Sequence, residues 1–520
     1  MSHAAASPGP ASPPAPSHSN TAADQARFDA LQATLVPLWK SIRAMNQDEQ
    51  TIVVVPSMDM DVDLPGSAVQ AYEERFLFLL LLLRQPRARL VYVTGQAIHS
   101  SVVDYYFDLM PGVISSHARK RLFLVSPLDA SPRPLAKKLL ERPRMIAKLK
   151  SLIPDPARAH LVPFATTWAD RELALRLGIP MYGCDPRLID LGTKSNSRRL
   201  FREEGVPLPD GREDLGTEDD LVDAIVAIRA AKPAMKKVVI KLNEGVSGTG
   251  NSNLALSSLP PAGSAPEREA VRRLLPRMVF ESEALAYPKF LEKLAERKGI
   301  VEERIEADEI RSPSVQLRVT PLGDVELLST HDQLLGGVSG QSYLGCRFPA
   351  DEAYAGMISV EAAKIGQRLK REGVLGRFAL DFVVARPKGG AWKPYAIEIN
   401  LRKGGTTHPF LTLQFLTDGT YDAASAHFTA PNGKPKFFVA SDHVEDHAYR
   451  GLTPEDLFDI ALRHGLHFDQ SRLTGCVFHM MSALPESGRT GLTAVADSPA
   501  DADALYAKFL RVLDAETRES

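Results

Sequence analysis

Apolar and polar positions along the first third of the chain follow two alternating rhythms. Short apolar runs at 51–56, 89–94, 122–126 and 160–163 predict strands, and helical patterns at 71–83 and 133–150 fall between them. Strands alternating with helices imply a parallel sheet covered by helices. No glycine fingerprint follows the first run, which continues Pro56-Ser57-Met58, so a dinucleotide-binding loop is excluded. The run FLFLLLLL at 76–83 is too short to cross a bilayer and is bounded by Arg75 and Arg84, so it reads as a buried helix.

Further along, a basic amphipathic helix is predicted after the Gly192-Thr193 turn, closing at Gly205 with Pro207 beyond. KVVIKL at 237–242 predicts a strand, followed by the glycine-rich NEGVSGTGNSN at 243–253 and a proline-rich insert at 257–267. A helix at 281–298 and strands at 300–305, 314–320 and 324–329 follow, the last two joined by a turn at 321–324. Residues 331–347 read as a long glycine-rich loop, and 351–372 as an amphipathic helix. Two apolar runs, 378–385 and 392–399, flank a Pro-Lys-Gly-Gly turn and predict a β-hairpin. Beyond about 432, strands at 436–440, 476–482 and 491–496 and helices at 454–464 and 499–513 predict a small α/β segment.

Composition narrows the classes. Sixty-two basic and sixty-four acidic residues leave a net charge of −2, which argues against a nucleic-acid or membrane-surface protein. Cys184, Cys346 and Cys476 are widely spaced, which fits a reducing compartment and small buried side chains better than disulfides or zinc. Residues 1–22, rich in Ala, Pro and Ser, lack the features of a signal peptide and predict a disordered tail, so the cytoplasm is the expected location.

The hairpin carries the chemistry. Alternation puts Glu398 and Asn400 on one face, and a turn centred between Gly389 and Gly390 sets Asp381 opposite Glu398. Side-by-side carboxylates repel and cost desolvation unless a cation lies between them. Oxygen ligands without His or Cys suit Mg²⁺ or Mn²⁺, and Arg402 and Lys403 follow on a glycine-rich turn. The plainer reading is an amphipathic hairpin with a wet polar face. Lys241 ends a strand and leads into glycines 245, 248 and 250, which free backbone N–H groups to face an anion, although an ordinary flexible loop has the same composition.

The series Asp381, Glu398-Ile399-Asn400 and Arg402 resembles the metal-binding end of the ATP-grasp superfamily of carboxylate–amine ligases. Within it, EINLRKGGTTHPF and STHDQLLGGVSG (329–340) resemble the pheganomycin-type peptide ligases. The resemblance implies an α/β (α+β) fold in parts: the tail, a parallel-sheet pre-ATP-grasp domain at 23–190, a two-lobed ATP-grasp core at 191–430 divided near 305, and a C-terminal α/β domain at 431–520. It implies that Lys194, Lys241 and the loop residues Glu244, Gly245, Ser247, Gly248 and Gly250 meet ATP phosphates. It places Glu302, Glu303, Arg304 and Ile305 at the adenine, with the backbone of Glu302 and Arg304 bonding its edge, and Glu309 at the ribose. Asp381, Glu398 and Asn400 would hold Mg²⁺ or Mn²⁺, and Arg402, with Arg318 or Arg377, the transferring group.

The implied activity joins a small-molecule carboxylate, an amino acid or peptide, to an amine through an acyl-phosphate, releasing ADP and phosphate. No nucleic-acid or membrane partner is implied, and a homodimer is left open. A small-molecule kinase on the same fold and a non-catalytic ATP-binding module are the alternatives. For His331 a structural role stands beside a substrate contact.

Overall fold

The computed structural model describes residues 21–43, 49–58, 66–110, 112–245, 248–282, 285–338 and 340–518. The expected tail falls outside the described residues except for Thr21 and Ala22. Thr21 caps the helix Ala22–Ala33, its hydroxyl accepting from the Asp24 N–H at 3.1 Å.

Four parallel strands, Gln50–Val55, Ala88–Val93, Leu122–Val125 and Ala159–Pro163, form the first sheet in the spatial order third, second, first, fourth. The 133–150 pattern proves to be two helices, Leu135–Leu140 and Pro143–Ser151, because Pro143 cannot donate to the first helix and instead opens the second. The leucine run is a 3₁₀ helix, Leu77–Arg84, not an α-helix. All its leucines but Leu82 are buried, and Phe78 packs against Phe415 on the helix Thr407–Thr417. No helix among the described residues is long and apolar enough to cross a membrane.

A five-stranded antiparallel sheet follows, ordered Gly211–Leu215, Gly299–Glu303, Lys237–Leu242, Asn251–Ala255 and Val279–Phe280. Leu221 and Ile225 of helix Glu218–Ala231 and Phe290 and Leu294 of helix Tyr287–Arg297 bury its apolar face. The last helix is shorter than the 281–298 pattern and has a proline in its first turn.

The third sheet has nine strands among the described residues. Its path runs Glu309–Arg311, Gly376–Arg386, Pro313–Val319, Val325–Gly336, Ser342–Phe348, Phe437–Glu445, Arg489–Ala496 and Gly475–His479, and Lys393–Asn400 pairs with Gly376–Arg386. The stretch 331–347, expected as a loop, is therefore mostly strand. Its glycines answer to crowding: a Cβ on Gly345 would lie 2.2 Å from the Ala440 carbonyl oxygen, and one on Gly336 2.4 Å from Leu344 Cδ1. Through this hairpin the C-terminal strands continue the sheet that carries Asp381 and Glu398. The three cysteines are buried and unbridged.

Gly345→Ala tests that seam. The added methyl has backbone against it, so the variant should lose about 1–3 kcal/mol and unfold at lower urea. An unchanged midpoint would show that the two strands separate without cost.

Candidate active site

One short helix, Lys194–Glu203, brings the two later sheets together. Thr193 caps it, and Asn243, just past the strand Lys237–Leu242, holds its first turn: Lys194 N–H donates to the Asn243 carbonyl at 3.3 Å, and Ser195 N–H to Asn243 Oδ1 at 3.0 Å. On the other side, Ile399 N–H donates to Ser197 Oγ at 3.1 Å, which ties in the hairpin. Lys194, Lys241 and Glu398 thereby border one cavity of about 480 Å³.

In the wall from the five-stranded sheet, Glu302 sits buried between two cations, hydrogen-bonded by Lys241 Nζ and by Arg198 Nη1 at 2.9 Å. Burial raises its pKa, but Lys241 and Arg198 outweigh that and hold it below the ordinary value. Arg198 is itself buried and also meets Glu213 at 2.8 Å. In the opposite wall Asp381 pairs with Glu398 across the hairpin, where a bulge at Ile397 shifts the register that the turn sets. Gln333 Nε2 donates to Asp381 Oδ1 at 2.8 Å and Asn400 Nδ2 to Oδ2 at 3.0 Å. Burial and then Glu398 push the Asp381 carboxyl up to about 7. Lys194 Nζ lies 3.2 Å from Glu398 Oε1. Arg402 also borders the cavity; burial lowers its pKa while Glu398 and Asp381 oppose that shift.

Most expected residues converge here. Lys194, Lys241, Gly245, Gly248, Glu302, Glu303, Arg304, Ile305, Asp381, Glu398, Asn400 and Arg402 all line the cavity. Glu244 and Gly250 do not, and Ser247 lies outside the described residues.

Three residues are misplaced by the sequence reading. Ile310, Ser312 and Ser314 face the cavity, so alternation turns Glu309 away, and both its oxygens bond Arg386 at 2.9 Å. Arg318 lies four residues beyond Ser314 on the strand Pro313–Val319, where it bonds Glu326 at 2.5 Å and lies over Trp39. Arg377 pairs with Arg318 on the neighbouring strand, and burial lowers its pKa to about 10.

The adenine-edge reading changes as well. Glu302 pairs with strands on both sides, so its backbone is spent in the sheet, and Arg304 N–H donates to the Lys237 carbonyl at 3.2 Å. His331 is structural: it is fully buried among Phe348, Phe410 and Phe438, bonded to Ser329 Oγ at 2.8 Å, and burial lowers its pKa to about 3.

Sequence reasoning missed the far end of the cavity. Tyr72, Arg75 and Phe164 arrive from the first sheet's segment, Tyr343 from the unexpected hairpin, and Asp442 and His443 from a C-terminal strand. Arg75 Nη1 donates to Asp442 Oδ2 at 2.8 Å, joining residues 367 positions apart. Within the sequence, the only signal was that Arg75 adjoins an apolar run in which a buried guanidinium needs a partner.

The cleft lies between an antiparallel sheet with a glycine loop and a second sheet presenting acids and an arginine. The comparisons give the class of protein. An IQCH-like ATP-grasp family model matches residues 273–424, and a PGM1 C-terminal domain model matches 456–509. The L-propargylglycine–L-glutamate ligase of Streptantibioticus cattleyicolor is 30% identical over 440 residues, 83% of this chain and 86% of that protein. IQ motif-containing protein H of Danio rerio is 24% identical over 451 residues, and the match spans 78% of this chain but only 42% of that longer protein. Among solved structures, the biotin carboxylase domain of Hydrogenobacter thermophilus 2-oxoglutarate carboxylase superposes with a TM-score of 0.50 at 14% identity, covering 86% of each chain. The chain belongs to the ATP-grasp family of amide-forming ligases.

The Asp381 shift fixes a pH dependence. With a folded pKa of about 7 against 3.8, folded Asp381 keeps a proton that the unfolded chain has released, so stability falls as pH rises through that window. Asp381→Asn should remove this slope, leaving the ligand-free variant roughly 2–4 kcal/mol better off relative to wild type at pH 8 than at pH 4, at about 1.4 kcal/mol per unit. Parallel denaturation curves for the two proteins across that range would contradict the shift.

Proposed function

We propose that the protein joins two amino-acid-like substrates, activating the carboxylate of one with ATP and passing its acyl group to the amine of the other. The observation that carries this reading is the meeting, at one cavity, of two lysines, Arg402 and the set Asp381, Glu398 and Asn400 from separate stretches of chain. The amino-acid relative supports the substrate class. The buried, unbridged cysteines support a reducing, cytoplasmic setting.

The residues present fit Mg²⁺. Asp381, Glu398 and Asn400 offer hard oxygen ligands, and the raised Asp381 pKa marks a carboxylate pair short of positive charge. Bound there, the ion would neutralise charge on the phosphates.

The chain's own cations do the rest. Lys194 and Lys241 hold phosphate oxygens as point charges, exchanging Glu398 and Glu302 for them. A substrate carboxylate oxygen attacks the γ-phosphorus and ADP leaves. The amine nitrogen then attacks the acyl carbon, phosphate departs with that oxygen, and the amine proton passes to solvent. Arg402 stabilises the oxygen that gains charge during this attack.

Incubation with ATP, L-glutamate and hydroxylamine should yield a hydroxamate with equal ADP and phosphate. AMP with pyrophosphate would reject an acyl-phosphate route, and ADP with a stable phosphorylated product would make the protein a kinase. Lys194→Ala should remove a charge-assisted contact worth about 1.5–3 kcal/mol. Calorimetry should therefore show ATP binding about tenfold or more weaker; unaltered affinity would remove Lys194 from the phosphate site.

A further inference from the structure

Behind the far wall of the cavity, three ligand-bearing side chains meet in a buried triangle. His408 Nε2 lies 2.9 Å from His479 Nε2, His479 Nε2 lies 2.7 Å from Asp442 Oδ1, and His408 Nε2 lies 3.0 Å from the same oxygen. All three residues are buried, and among the described residues theirs is the one His, Cys, Asp and Glu grouping compact enough to share an ion. They come from three elements: the helix Thr407–Thr417, the strand Phe437–Glu445 and the strand Gly475–His479.

Hydrogen bonds serve this triangle poorly. With edges of 2.7, 2.9 and 3.0 Å, two imidazoles donating to one carboxylate oxygen would approach it only about 60° apart, crowding their N–H dipoles. If one imidazole donates to the other, the remaining nitrogen lone pair faces the carboxylate. The same edges suit a shared cation. For ligand atoms ~2.1 Å from an ion they correspond to ligand–metal–ligand angles of about 80–90°, three ligands on one face of an octahedron.

We propose that His408, Asp442 and His479 form a second metal site, distinct from the nucleotide's, that takes a divalent first-row transition ion in six-coordinate geometry. Two imidazoles and one carboxylate suit Mn²⁺, Fe²⁺ or Co²⁺, and the two nitrogens disfavour Mg²⁺. Arg75 bonds the outer oxygen of Asp442 at 2.8 Å, the orienting contact that ligating carboxylates ordinarily have. Its positive charge also opposes the ion, so binding should be weaker than at a site with an acidic neighbour. The ion would pin the start of the helix that follows Arg402 and Lys403 onto the C-terminal strands.

The test uses the whole chain and Mn²⁺ alone, without nucleotide. Asp381, Glu398 and Asn400 offer only oxygen, so pulsed EPR separates the two sites by nitrogen. Protein stripped with dipicolinate should bind Mn²⁺ with nitrogen modulation in its spectrum. The same signal should survive Glu398→Gln and disappear in His479→Gln, and Mn²⁺ should raise the melting temperature of the Glu398→Gln protein. Oxygen-only Mn²⁺ spectra in wild type, or no Mn²⁺ uptake by the Glu398→Gln variant, would overturn the second site. So would an unchanged nitrogen signal in folded His479→Gln protein. If His479→Gln does not fold, the wild-type and Glu398→Gln spectra decide alone. None of these readings depends on ligase turnover.

Discussion

Asp381 and Glu398 face each other across a hairpin, and like charges on paired strands repel. The surrounding structure is arranged to contain that repulsion. Gln333 and Asn400 each donate to Asp381, Lys194 approaches Glu398, and Arg402 adds a diffuse positive charge. Even so, Asp381 keeps its proton to about pH 7. The pair is short of positive charge, and it is the least comfortable feature of the fold.

The helix Lys194–Glu203 makes that arrangement possible by contacting both sheets at once. Its first turn is bonded to Asn243, Ser197 to the hairpin backbone, and Arg198 to Glu302. Four residues of one turn thus fix two lysines and a glutamate relative to two sheets. The order of the chain hides this, because the connecting helix precedes both sheets in sequence.

How much was legible follows from the range of the forces involved. The hairpin and its polar face are local features and were legible, but the Asp381–Glu398 pairing arises otherwise than by turn and alternation: Ala385 pairs with Lys393 and Phe382 with Ala396, and a bulge at Ile397 then sets Asp381 against Glu398. Arg318 lies four residues beyond the cavity-lining Ser314, against Glu326 and Trp39, and Glu309 lies on a short strand, Glu309–Arg311, that the sequence reading did not expect. The 331–347 stretch read as a loop because its glycines look like flexibility, while the structure uses two of them where neighbouring atoms leave no room for a Cβ. Arg75, Asp442, His408 and His479 were invisible for a different reason. Each is unremarkable alone, and only a long chain closure makes them neighbours.

The ligand-free cleft also shows why its lysines need no rescue from burial. Lys241 and Lys194 are each paired with a carboxylate, Glu302 and Glu398, so both keep an ionic partner although their side chains are almost wholly inside the protein. The desolvation of each lysine has therefore already been met by folding. Glu302 is bonded to Arg198 as well as to Lys241. Glu398 is paired with Lys194 and already strains against Asp381. Under the proposed function, a phosphate that drew Lys194 away would leave that charge to be replaced, and a divalent ion bound with the nucleotide would replace it.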